Sequence, residues 1–189
     1  SATTASSGGG GGGGGSVTSD LTKTTRIIQT ILEGENKIEF SKSEKENIGI
    51  GEIIISSNKE AENIKVSVEK LKQKPAEVDE VDNAYSYLKL DKTILTEDDI
   101  EKATIKFVVN KTWMQKNNFD MYDVKLKRFM DSWHTLDTKY LKNDFWFYYY
   151  EAETPGFSYF AVAVDKSDKL IGTSELIEEN ETVEEEKTI

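Results

Sequence analysis

The chain has 189 residues, a formal net charge of −11, 31% charged residues and no cysteine. That length holds one domain with tails, and the missing cysteines exclude disulfide staples and thiolate metal sites. The acidic balance repels nucleic acid and anionic lipid, which sets both aside as partners.

Residues 1–20 are Ser, Thr and Ala followed by eight consecutive glycines, Gly8 to Gly15. Glycine has the most conformational entropy to lose, so the run predicts a flexible linker or N-terminal extension. The opening Ser1-Ala2-Thr3-Thr4, without Met, reads as a processed product or an excised fragment, which leaves open a leader or anchor beyond either end. No apolar run approaches the roughly 20 residues needed to cross a bilayer, so no membrane insertion by this segment is expected.

A β-rich domain is predicted over residues 21–168. Thr25 to Leu32 is rich in β-branched residues and ends at Gly34, and Lys37 to Phe40 alternates with period two. Ile48 to Ile55 is an apolar run broken by glycines, the pattern of a buried strand with a bulge. Ile64 to Leu71 alternates apolar and polar residues, as a half-buried strand should. Pro75 and the acids from Glu77 to Asp82 mark a loop before a strand at Tyr85 to Leu90.

Thr96-Glu97-Asp98-Asp99-Ile100 reads as a helix start, with Thr96 capping the Asp99 amide. That helix must be short, because Ala103 to Val109 is a strand by periodicity. Trp113 to Asn118 predicts one helical turn, and Val124 to Phe129 resumes the alternation. Asp144 to Tyr150 is aromatic on both faces, which predicts a central strand covered on both sides, and Phe157 to Val164 reads likewise. Between them, Thr154-Pro155-Gly156-Phe157 is a corner in which Pro sets φ and Gly accepts φ > 0. Within residues 169–189, Lys169 to Ile177 could form a last strand, and the Glu-rich remainder reads as an acidic tail. Eight or nine short strands with one or two helical turns predict an all-β fold, an antiparallel β-sandwich immunoglobulin-like in general architecture.

The segments just described also carry a family resemblance. Tyr85-Ser86-Tyr87, the acidic turn at Asp98 to Ala103, Phe107 to Trp113 with Asn117 to Asp120, the basic strand Val124 to Arg128, Trp133 and the Pro155-Gly156-Phe157 corner follow one another in order. Over residues 22–164 the chain resembles the archaeal PGF-pre-PGF domain, a module of secreted and cell-surface proteins, chiefly of methanogens, often preceded by glycine-rich linkers. Two departures stand out. Leu136-Asp137-Thr138 replaces the family's usual Leu-Pro-Thr, and no membrane-associated sorting tail is present. The resemblance implies a β-rich surface-layer-type module of an archaeal envelope, with no catalytic residues to carry over.

The residues offer little chemistry of their own. His134, the single histidine, lies beside Trp133 without a nucleophile, so it reads as a surface residue. Glu151 and Glu153 share a strand face, whereas a glycosidase needs carboxylates across a cleft. Asp79, Glu80 and Asp82, with Asp165 and Asp168 as a second group, are acidic loops of the kind that can chelate calcium, but neither matches a known loop spacing. No catalytic, cofactor-binding or metal-ligating residue is assigned, and the expected class is not an enzyme. Asn110-Lys111-Thr112 and Asn180-Glu181-Thr182 are glycosylation sequons, so Asn110 and Asn180 are candidate modification sites.

Two functions follow as expectations. The first is a structural or interaction module whose partners are copies of itself or other envelope proteins, joined in a filament or lattice by strand addition. Thr24 to Leu32 and Leu170 to Ile177 are the candidate donor strands. The alternative is a carbohydrate-binding or adhesion domain that stacks polysaccharide on Trp133, Trp146, Tyr148, Tyr150 and Tyr159, although alternation places about half of such a set in the core.

Overall fold

The computed structural model describes residues 22–166. The linker, the proposed last strand, Asp168 and Asn180 lie outside the described residues. In chain order the elements are β1 (Lys23–Ile31), β2 (Gly34–Glu39), α1 (Lys42–Ile48), β3 (Ile50–Ser57), β4 (Ala61–Leu71), β5 (Ala84–Lys92) and β6 (Ile100–Asn110). Then follow α2 (Lys111–Lys116), a 3-10 turn (Met121–Asp123), β7 (Val124–Phe129), β8 (Trp133–Thr135), β9 (Thr138–Asn143), β10 (Phe147–Thr154) and β11 (Tyr159–Val164).

The strands form two antiparallel sheets. One has the order β1-β4-β5-β11-β7-β8 and the other β2-β3-β6-β10-β9, which makes a two-layer β-sandwich. Period-two alternation decides which residues face the partner sheet. Ile64, Val66 and Phe160 of the first sheet share one core with Ile53, Ile105 and Tyr150 of the second. Each such side chain contributes about 1.5–3 kcal/mol on burial, so the core dominates the fold. β11 is the central strand that its apolar sequence predicts. Phe160, Val162 and Val164 enter the core, while Ala161 and Ala163 are roofed on the outer face by Val81, Tyr87 and Trp133.

Several local readings are corrected. Ile48 is not in a strand. It closes α1, whose Ser41 and Glu44 form a reciprocal capping box, and Gly49 ends the helix in the left-handed region at φ 82°. The bulge expected nearby does occur, as a register shift between Ile50 and Glu52. Thr96 to Ile100 is a turn and not a helix. Asp99 takes both the N–H and the hydroxyl of Thr96 (2.7 and 2.8 Å), while Lys59 and the Asn58 N–H hold Asp99 from outside. Tertiary contacts thus use the capping chemistry to close a turn, and Ile100 starts β6.

The Pro155-Gly156 corner carries the chain from the second sheet to the first. Gly156 is not required there for a positive φ, which among the described glycines occurs only at Gly34 and Gly49. A Cβ on Gly156 would overlap the Glu97 carboxylate, so close approach is the reason for glycine. Thr154, itself buried, donates its hydroxyl to the Gly156 carbonyl (2.9 Å).

Candidate interaction surface

β9 and β10 are joined by a tight turn at Asp144-Phe145-Trp146, where the sequence alone predicts continuous strand. The reason is Asp144. Its Oδ1 accepts the N–H groups of Trp146 and Phe147, both at 2.8 Å, and its own N–H donates to the Phe147 carbonyl at 3.0 Å. This aspartate-closed turn reverses the chain before alternation can place Phe145 and Trp146 on a sheet face. The Tyr149 hydroxyl donates to the second carboxylate oxygen at 2.6 Å. That bond holds the Asp144 carboxyl below its ordinary range against opposing burial, helped by the two N–H donors and nearby Lys45.

The tip is tied to the sandwich from two sides. The Lys111 N–H, at the start of α2, donates to the Trp146 carbonyl (2.9 Å), and the Lys111 ammonium donates to Asn143 (2.6 Å). On the other side Lys45 donates to the Tyr149 hydroxyl at 3.0 Å. Lys142 stands 5.3 Å from the centre of the same ring.

What this frame holds out is apolar. Phe145 is 80% exposed and Trp146 60% exposed, the two rings packed edge to face with centroids 4.6 Å apart. A backbone fixed by four hydrogen bonds, presenting its two largest side chains to water, has the properties of a contact epitope. Beside it, the outer face of the second sheet carries a groove of about 460 Å³ lined by Lys45, Lys106, Leu141, Lys142 and Tyr149, with Glu52 on its floor. Glu52 is neutralised by Lys106 (2.7 Å) and Lys37 (2.9 Å).

The remaining sequence candidates are dispersed. His134 is exposed on β8, and its Nε2 meets both Asp131 (3.0 Å) and Ser132 (3.3 Å). A triad base contacts nucleophile and acid through different ring nitrogens, so this arrangement is not one. Glu151 and Glu153 do share the outer face of β10, where Glu153 pairs with Lys102 at 2.8 Å. Asp79, Glu80 and Asp82 are exposed on the loop over β11, where the Asp79 carbonyl accepts the Trp133 indole N–H at 2.8 Å. Asp165 pairs with Lys127 at 2.8 Å. Among the described residues no group of three or more His, Cys, Asp or Glu is placed to hold a metal ion.

Asn110 is the N-cap of α2, its side chain accepting the N–H groups of Thr112 (2.9 Å) and Trp113 (3.2 Å). The five aromatics of the sugar-stacking set do not assemble. Tyr150 is buried, Tyr148 packs inward on Tyr140, Trp133 packs on Phe129 and Tyr87, and Tyr159 lies under Lys89. Only Trp146 of that set is freely presented, and its partner Phe145 was not in it. The signal available was Asn143-Asp144, a turn-forming pair ahead of the two aromatics.

Of the candidate donor strands, Thr24 to Leu32 falls largely in β1, which pairs along its length with β4 of the same chain. Among the described residues β1, β8, β2 and β9 are the sheet edges, and β1 displays Ile27 at 65% exposure. No helix among the described residues is long and apolar enough to cross a membrane. The chain matches no protein-family model, no curated protein and no solved structure.

Proposed function

We propose that this chain is a non-catalytic structural and interaction module that joins neighbouring molecules, copies of itself or other envelope proteins, at an archaeal cell surface. The observation that carries the reading is the Phe145-Trp146 tip, a pinned turn that spends two large aromatics on solvent. Burying each against a neighbour gains about 1.5–3 kcal/mol, whereas leaving them exposed stabilises nothing within the chain. The open edges of β1 and β2 supply main-chain groups for strand addition beside such an anchor. The archaeal and cell-surface setting rests on the resemblance to the PGF-pre-PGF domain.

The test is sedimentation and negative-stain microscopy of the full chain beside the F145S/W146S variant. The reading expects concentration-dependent assemblies in the parent chain and their loss in the variant, with the fold retained. A parent chain that stays monomeric at every concentration, alone and with envelope extract, contradicts it.

Carbohydrate binding is the second reading, favoured by the free indole of Trp146 beside the lysine-rimmed groove. Tryptophan fluorescence titration with neutral and acidic polysaccharides separates the two. A saturable response that disappears in W146S selects adhesion to glycan over cohesion between proteins.

A further inference from the structure

At the end of the sandwich where the described chain stops, a cavity of about 430 Å³ is walled by Thr22, Lys70, Lys72, Tyr85 and Tyr87. Among the described residues its only charged lining groups are the two lysines. Lys70 continues the inward register of Val66 and Val68 on β4, so alternation aims an ammonium at the end of an apolar core. It is half-buried, 5.3 Å from the centre of the Tyr85 ring. Among the described residues no carboxylate lies within ion-pair distance of Lys70 or Lys72. Burial without a counter-charge holds Lys70 below its ordinary pKa. A partly desolvated ammonium is costly, and a carboxylate in the cavity relieves that cost.

The chain itself brings carboxylates to this end. β11 finishes at Val164, whose N–H donates to the Asn83 carbonyl (3.3 Å) just before Ala84 and Tyr85 of the cavity wall. Lys70 is level with Leu88 and Phe160 on the successive strands β4, β5 and β11, so the exit at Val164 lies about 10 Å across the sheet and about 13 Å along it from Lys70. Beyond it, residues 169–189 hold seven Glu against two Lys. Glu175 comes nine residues after Lys166, an extended reach of about 30 Å. The other chain end enters at Thr22, but residues 1–21 offer one acid, Asp20.

We infer that the Lys70–Lys72 cavity is the docking site of this chain's own Glu-rich segment, Glu175 to Glu186, held in cis by carboxylates on the two ammonium groups. The tether favours the intramolecular arrangement, because a short linker gives effective concentrations in the millimolar range. Docking places the acidic tail at the same end of the sandwich as the Phe145-Trp146 tip, since the Asn110 N–H donates to the Tyr85 hydroxyl of the cavity wall (3.3 Å) and the next N–H, of Lys111, donates to the Trp146 carbonyl (2.9 Å). The inference is independent of the cohesion reading, and F145S/W146S leaves it unchanged.

The test uses the full chain. Equal amounts of unlabelled and nitrogen-15-labelled chain are mixed, linked with a zero-length carbodiimide and mapped by mass spectrometry. In parallel, acylation of individual lysines is timed in the parent and in a variant with all seven tail glutamates changed to glutamine. The expected results are linked peptides of one label joining Glu175–Glu186 to Lys70 or Lys72, and several-fold faster acylation of Lys70 in the glutamine variant. Links spread evenly over surface lysines, mixed-label links at Lys70, or unchanged Lys70 reactivity overturn the inference.

Discussion

Arg128 and Glu97 meet across the corner at Gly156, with the guanidinium Nη2 3.1 Å from the carboxylate Oε2. The arginine is buried in the first sheet, and the carboxylate occupies the space that a side chain at Gly156 would fill. Lys92 supports Glu97 from the far side at 3.1 Å. Sheet switch, glycine and ion pair are therefore one unit.

Gly156→Ala should push Glu97 away and leave Arg128 without its carboxylate, at a cost of about 1–3 kcal/mol. Glu97→Ala removes the same interaction by another route. Urea unfolding of both single variants and the double variant checks this. The double variant should be destabilised by clearly less than the sum of the two singles, since they share one contact.

Acid stability should turn on two carboxylates, one tying α1 and the other the turn before β6 to the sandwich. Arg26, with Thr24 and Ser41, holds Glu44 well below the usual carboxylate range despite its burial. Lys59 and Thr96 hold Asp99 at about 2. Depressed folded-state values mean that the stabilisation is complete above the unfolded values near about 4 and fades as pH falls through the folded ones. Unfolding midpoints should therefore stay level from neutral pH to about 5, then fall between about pH 4 and 2. The gap between the parent and Glu44→Gln should narrow over that same fall.

Asp144→Ala should loosen the hairpin tip without disturbing the core. Two N–H groups and the Tyr149 hydroxyl lose their acceptor. The expected cost is about 1–2 kcal/mol, in the range of a lost helix cap. Amide exchange at Trp146 and Phe147 should quicken. Asp144→Asn, which keeps the Oδ1 acceptor, should preserve most of the protection.

The sandwich was legible because its strands are half-buried and keep a strict period. Ile64 to Leu71 and Val124 to Phe129 show it most cleanly, and β11 shows its two-sided burial in an unbroken apolar run. What escaped was decided by side chains acting across the fold or across a turn. Ile48 looks apolar in either a helix or a strand, and only the Ser41-Glu44 box and Gly49 distinguish them. Thr96 carries helix-capping chemistry that Lys59 and Asn58 divert into a turn. Gly156 is explained by Glu97, 59 positions away in the chain, which no local rule reaches. At the tip, Asp144 overrides the β-propensity of the aromatics that follow it, so Phe145 read as core when it is the most exposed large apolar side chain described.

The cohesion reading is tested most directly by hydrogen–deuterium exchange on the unmodified full chain across a concentration series. The account expects added protection on concentration at residues 144–147 and along an open sheet edge, with the sandwich core unchanged. Protection that is independent of concentration everywhere, or that appears only around His134 when small molecules are added, contradicts it.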